Sequence, residues 1–187
     1  MCFGVVLLNT ANHLYIAKIV YRYLKKKHNC RIMRSEFFIG NIAPDFYPNV
    51  VLKPHTIKNY SGKIKREMWL LYNSHDNYKS RPEYFLRLGR VCHYISDFFC
   101  YAHNKSFTGT SRDHFKYEYR LLGHCKLNIK KLYQIDFLPS VPKNTDFESF
   151  FSTLTDIHKY FVENENSHSA DIFYAVYACV MVILAVR

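Results

Sequence analysis

The stretch VCHYISDFFCYAHNKSFTGTSRDHFKYEYR, residues 91–120, decides how this chain is read. It sets out His93, Asp97, His103, His114 and Glu118: an HxxxD pair, a lone histidine, then an HxxxE pair. On an α-helix, residues four apart lie about 40° apart around the axis and one turn along it, so both members of each pair face one point. The step from Asp97 to His103 would swing the histidine about 120° away on a continuous helix. The spacing therefore predicts a helix end or kink before His103. Imidazole and carboxylate are usual zinc ligands, and a zinc that keeps a water is catalytic. The absence of cysteine from the five positions favours a catalytic over a structural site and points to a metallohydrolase.

A blander reading exists, because His/Asp and His/Glu pairs at this spacing also form weak surface pairs on ordinary helices. The context weighs against it. His93 and Asp97 sit among Val91, Tyr94, Ile95, Phe98, Phe99 and Tyr101, a run that reads as largely buried. Buried imidazoles and carboxylates need partners, and a metal supplies them. The remaining histidines singled out, His28, His124, His158 and His168, fit no ligand spacing and read as surface or satisfied core residues. Cys92 and Cys100, beside the pairs, read as packing residues.

Outward from this stretch, 187 residues with 49% hydrophobic content suffice for one compact domain spanning 1–187. Six glycines, six prolines and recurring 3.6-residue periodicity indicate an all-α fold, a compact single-domain multi-helix bundle with a buried zinc cluster. The first helix is expected from about Asn12 to His28 or Asn29, burying Ile16, Ile19, Val20 and Tyr23. A short helix around SEFFIG leads to GNIAPDFYPNVVLKPHT, an expected ordered loop carrying Asp45 and His55. A helix from about Ser61 and the polar connection SHDNYKS follow. Ser80, Pro82 and Glu83 then read as a capping box opening the helix of His93 and Asp97. Ser111 or Asp113 is expected to cap the helix of His114 and Glu118, and helices over about 145–162 and 170–186 complete the bundle.

No glycine-rich phosphate loop, fixed-period repeat or low-complexity tract is present, which removes nucleotide-loop and repeat architectures. The net charge of +11, with basic segments at Lys25, Lys26 and Lys27 and at Lys63, Lys65 and Arg66, suggests an anionic partner or else a solvated basic surface. Six cysteines without CxxC spacing read as reduced core residues. The start, MCFGVVLLNTANH, lacks a basic n-region, so a cytoplasmic location is expected. Residues 172–186 are apolar but short of the roughly twenty that span a bilayer, so a buried terminal helix is expected rather than an anchor.

The segments NHLYIAK, GNIAPD, KPHT, HYISDFFCYAHN and HFKYE together resemble the bacterial zinc-dependent phospholipase C family, which shares its fold and metal cluster with fungal single-strand nucleases. The resemblance implies that His13, Asp45, His55, His93, Asp97, His103, His114 and Glu118 ligate zinc in an all-helical fold. It implies one zinc at His103, His114 and Glu118, a second at Asp45, His55 and His93, and Asp97 bridging to a third near His13. It also implies a zinc-bound bridging hydroxide that attacks the phosphorus of an anionic phosphodiester, with Asp45 as general base. Secreted members use the amine of a processed N-terminal tryptophan as a ligand, and this chain lacks that residue. Two or three Zn2+ ions are therefore expected, the third depending on the amine of Met1, or of Cys2 after methionine removal; the alternative is that the apolar start packs on the core. The nucleases usually close the last pair with aspartate, so Glu118 tilts the substrate toward phospholipid at a membrane surface and away from nucleic acid. No protein partner is implied.

Two rivals stand beside this reading. An HD-type phosphohydrolase would use His75 and Asp76 with His55 and Asp97, yet it leaves His103, His114 and Glu118 unexplained. The other is a zinc-binding protein without turnover.

Overall fold

A computed structural model describes residues 3–46, 55–137 and 145–187. Among them the helices are α1 (Phe3–His28), α2 (Arg34–Ile42), α3 (Ile57–Tyr72), α4 (Asp76–Lys79), α5 (Pro82–Phe98), α6 (Ser111–Leu132), α7 (Phe147–Asn164) and α8 (His168–Val186). Two 3-10 turns, Ala43–Phe46 and Tyr101–His103, interrupt them, and no strand occurs among the described residues. The all-α expectation is met.

The helix α5 forms the centre, packed by α2, α3 and α8. Every residue from Val91 to Phe98 is buried. From the opposite side α8 buries Ile172, Val176, Val180, Met181 and Ile183, side chains that each stabilise by about 1.5–3 kcal/mol when fully withdrawn from water. By length and composition α8 could cross a membrane, yet 67% of its most apolar window is buried inside this fold. It is the buried terminal helix that its sequence suggests.

The closest backbone approach joins α2 to α5. Gly40 and Gly89 face each other, and a Cβ on Gly89 would strike the Phe37 carbonyl oxygen and come within 2.9 Å of the Asn41 nitrogen. Only residues without a side chain allow this spacing.

Several boundaries differ from expectation for local reasons. α1 begins at Phe3 and not near Asn12, since residues 5–12 contain neither proline nor glycine. It stops where Asn29 turns left-handed at φ 48°, as expected. GNIAPD is helical through Ile42 and continues as a 3-10 turn, because Pro44 lies in a first turn, where no N–H is needed. The rest of that loop up to His55 lies outside the described residues. α3 starts at Ile57, ahead of Ser61. Within SHDNYKS, residues 76–79 form a helical turn that takes Ser80 as its C-cap, and the Ser80 hydroxyl donates to the Asn77 carbonyl. Ser80 is thus unavailable to α5, whose N-cap is Arg81 with Pro82 in its first turn. Thr110, not Ser111 or Asp113, caps α6: its hydroxyl accepts from the Asp113 N–H at 3.3 Å, and the Asp113 carboxylate accepts from the Thr110 N–H at 3.1 Å.

Candidate metal centre

His93 and Asp97 lie one turn apart on the buried face of α5. The Asn41 carbonyl, brought close by the glycine contact, lies 2.8 Å from His93 Nδ1. A carbonyl only accepts, so Nδ1 carries the proton and Nε2 presents its lone pair inward. Asp45 follows on the 3-10 turn after α2, and Thr10 of α1 donates to its Oδ2 at 3.0 Å.

After Phe98 the chain leaves the helix, becomes extended at Cys100 and enters the Tyr101–His103 turn, the predicted break before His103. Asn104 Nδ2 donates to the carbonyls of Phe98 and Cys100 at 3.0 and 2.8 Å, which fixes the reversal. His158 of α7 donates from Nε2 to the same Phe98 carbonyl at 3.0 Å. His103 is thereby aimed at α6, where its Nε2 lies 3.1 Å from Glu118 Oε1, and His114 Nε2 lies 3.0 Å from that same oxygen.

The eight residues converge into three sets whose ligand atoms lie within 4.8 Å of one another: His13, His93 and Asp97; Asp45, His55 and His93; His103, His114 and Glu118. Asp97 faces two ways, with Oδ1 3.2 Å from His13 Nε2 and Oδ2 2.9 Å from His55 Nδ1 and 3.4 Å from His93 Nε2. His93 Nε2 is 3.0 Å from His55 Nδ1 and 3.8 Å from Asp45 Oδ1. Ligands about 2.1 Å from a tetrahedral zinc stand about 3.4 Å from one another, the middle of this range. A cavity of about 30 Å³, room for about two water-sized occupants, is lined by His13, Asp97, His103 and Glu118 together with the apolar Ile16, Phe99, Leu121, Ile172 and Ala175. The buried His13 Nδ1 has no hydrogen-bond partner. The donor set and its spacing fit bound zinc.

The electrostatics show what holds the set together without metal. Burial and the neighbouring His13 push the His93 pKa well down, so that imidazole is neutral. Burial opposes charge on Asp97, but His13, His103 and His93 outweigh it and hold the carboxyl well below its ordinary range. Burial also opposes the His103 cation, yet Asp97 and Glu118 raise its pKa to about 9. Asp45 is pushed up to about 6 by burial, against the pull of His13.

A family model described as zinc dependent phospholipase C matches residues 12–168, a span that contains all eight residues. The chain belongs to that family. No curated protein and no solved structure matches it. His75 and Asp76, the basis of the HD-type rival, are exposed and take part in none of the three sets. The family's own segments carry residues that ligand spacing passes over: Asn12 donates to the Glu118 carbonyl at 3.1 Å, while Asn41 and Asn104 orient His93 and His103. An asparagine beside each of the motif histidines His13 and His103, in NHLYIAK and YAHN, was the available signal. His158 is the satisfied core residue expected, and the described cysteines, Cys30, Cys92, Cys100, Cys125 and Cys179, are free and buried. Met1 and Cys2 lie outside the described residues.

Proposed function

We propose that this chain is a zinc-dependent phosphodiester hydrolase of the phospholipase C type, acting on phospholipid at a membrane surface, with the eight residues as ligands and Asp45 as general base. The observation that carries this reading is the convergence of all eight, drawn from three helices, two 3-10 turns and a loop, into three sets, two of which share His93. Bound zinc would acidify water and neutralise charge on the phosphoryl oxygens.

The chain's own residues position and exchange protons. Thr10 fixes one oxygen of Asp45, which leaves Oδ1 on the side of His93 to accept a proton from water. Asn41 locks the His93 tautomer, and Asn104 and His158 lock the turn that carries His103. The His114 side chain, 33% exposed, marks the open side from which a phosphodiester reaches the set. Glu118 in the last pair supports lipid over nucleic acid as substrate.

The deciding assay is zinc-supplemented hydrolysis of p-nitrophenyl phosphorylcholine and of bis-p-nitrophenyl phosphate by wild type, Asp45→Asn and His93→Ala. Asp45→Asn should lower kcat by about 10²- to 10⁴-fold. Absence of hydrolysis of either ester by fully zinc-loaded wild type would overturn the enzyme reading and leave a zinc-binding protein without turnover.

A further inference from the structure

On the outer side of α1 five cations share one groove. Lys18, Arg22, Lys25 and Lys26 stand at i, i+4, i+7 and i+8, a single helical face, and Arg34 joins them from α2. Tyr21, Phe38 and Tyr133 complete the walls around about 530 Å³, a volume typical of small-molecule sites. Among the described residues no carboxylate lines the groove. Asp136, beside the end of α1, is engaged by Tyr23 at 3.0 Å and by Lys27 at 2.8 Å. The five groove cations form no ion pair among the described residues.

The two guanidinium groups are held in place by rings. The Arg22 guanidinium carbon lies 4.4 Å from the centroid of Tyr133, and that of Arg34 lies 5.4 Å from the centroid of Phe38. A stacked guanidinium loses little freedom on binding, and its planar fork matches phosphate oxygens two at a time. Five like charges around one space repel one another, a cost that a multivalent anion removes. We infer that this groove binds a small organic polyphosphate, two or more phosphate groups on one carrier, at a site separate from the metal centre. The cations gather around one open groove of about 530 Å³, a footprint that favours a compact ligand over a nucleic-acid strand. The carrier is a soluble ester or the phosphorylated headgroup of a lipid. The inference is independent of turnover at the metal centre.

Calorimetric titration of the zinc-loaded protein with inositol trisphosphate tests the soluble source. Co-sedimentation with phosphatidylcholine vesicles, with and without phosphatidylinositol bisphosphate, tests the membrane source. Arg22→Gln/Arg34→Gln should weaken binding about 100-fold, about tenfold for each guanidinium, with zinc content and melting temperature unchanged. Binding in the titration alone assigns a soluble ester; binding in the vesicle arm that requires the bisphosphate assigns the headgroup. Lys18→Gln/Lys25→Gln must also weaken binding, which guards against a folding defect in the arginine variant. The inference fails if wild type binds in neither arm, or if both double variants bind as tightly as wild type. It fails equally if a single-stranded oligonucleotide binds as tightly as the trisphosphate and loses affinity by the same factor.

Discussion

His93 is wholly buried, whereas His114 keeps 33% of its side chain exposed. The contrast extends to their surroundings: His13, Asp45, His55, His93 and Asp97 are all buried, while His103 and His114 are only partly so. The inner sets sit where uncompensated charge is costly, so their imidazoles and carboxylates neutralise one another and the fold depends on them. The outer set is accessible, suited to admitting water and substrate. One half of the centre lies wholly in the core, and the other reaches solvent at His114.

Four measurements can break or sharpen this division. The largest effect belongs to His93→Ala, which removes the residue common to two sets and the partner of the Asn41 carbonyl. We expect at least one zinc fewer than wild type by native mass spectrometry, a lower melting temperature, and a loss of about 10²- to 10³-fold or more in ester hydrolysis. An unchanged melting temperature would mean that the inner set is not part of the core.

Next comes His114→Ala. Its expected effect is about 10- to 100-fold weaker zinc binding at the outer set, with the melting temperature of the metal-free protein nearly unchanged. A cooperative loss of all zinc would erase the distinction between the halves.

The third measurement uses protons. His103, with its pKa raised to about 9, is protonated at neutral pH and must shed that proton to ligate, whereas His93, pushed well down, is already neutral. Zinc binding to the outer set should release about one proton near pH 7, read by calorimetry in buffers of different ionisation enthalpy, and affinity should rise with pH up to about 9. The sign for the metal-free fold is opposite: the raised His103 pKa stabilises it fully below about 6.5, and that stability is lost as pH rises through about 9. Zinc binding without proton release would contradict the assignment of His103.

The smallest effect is that of His75→Ala. Exposed at the N-cap of α4 and outside the three sets, His75 should, when replaced, leave zinc content and hydrolysis within error of wild type. Loss of metal would revive the HD-type alternative.

Local periodicity made much of this architecture legible. The HxxxD and HxxxE pairs each required a helix, and the six-residue step to His103 required α5 to end, as it does at Phe98. The caps were harder to read, because TSRD offers three capping residues within four positions and the choice of Thr110 depends on where Asp113 can reach back. What no local rule reveals is contact across the chain. His158 lies sixty positions from Phe98, the residue whose carbonyl it binds, and Asn41 lies fifty-two from His93. His55 carries no helical spacing at all, so only the family's ordered segments pointed to it. The basic residues of α1 were legible as charge, but their union with Arg34 in one groove was not.

The bare contact between Gly40 and Gly89 gives the candidate metal centre a ruler. The distance between two helix backbones sets the Asn41 carbonyl against His93 and sets where the following turn delivers Asp45, so the aperture of the site is a readout of helix spacing. Heat or pressure that eases α2 from α5 would be registered first as a changed ligand field, in a cobalt-substituted protein as a shift in its visible absorption, while both helices keep their hydrogen bonds.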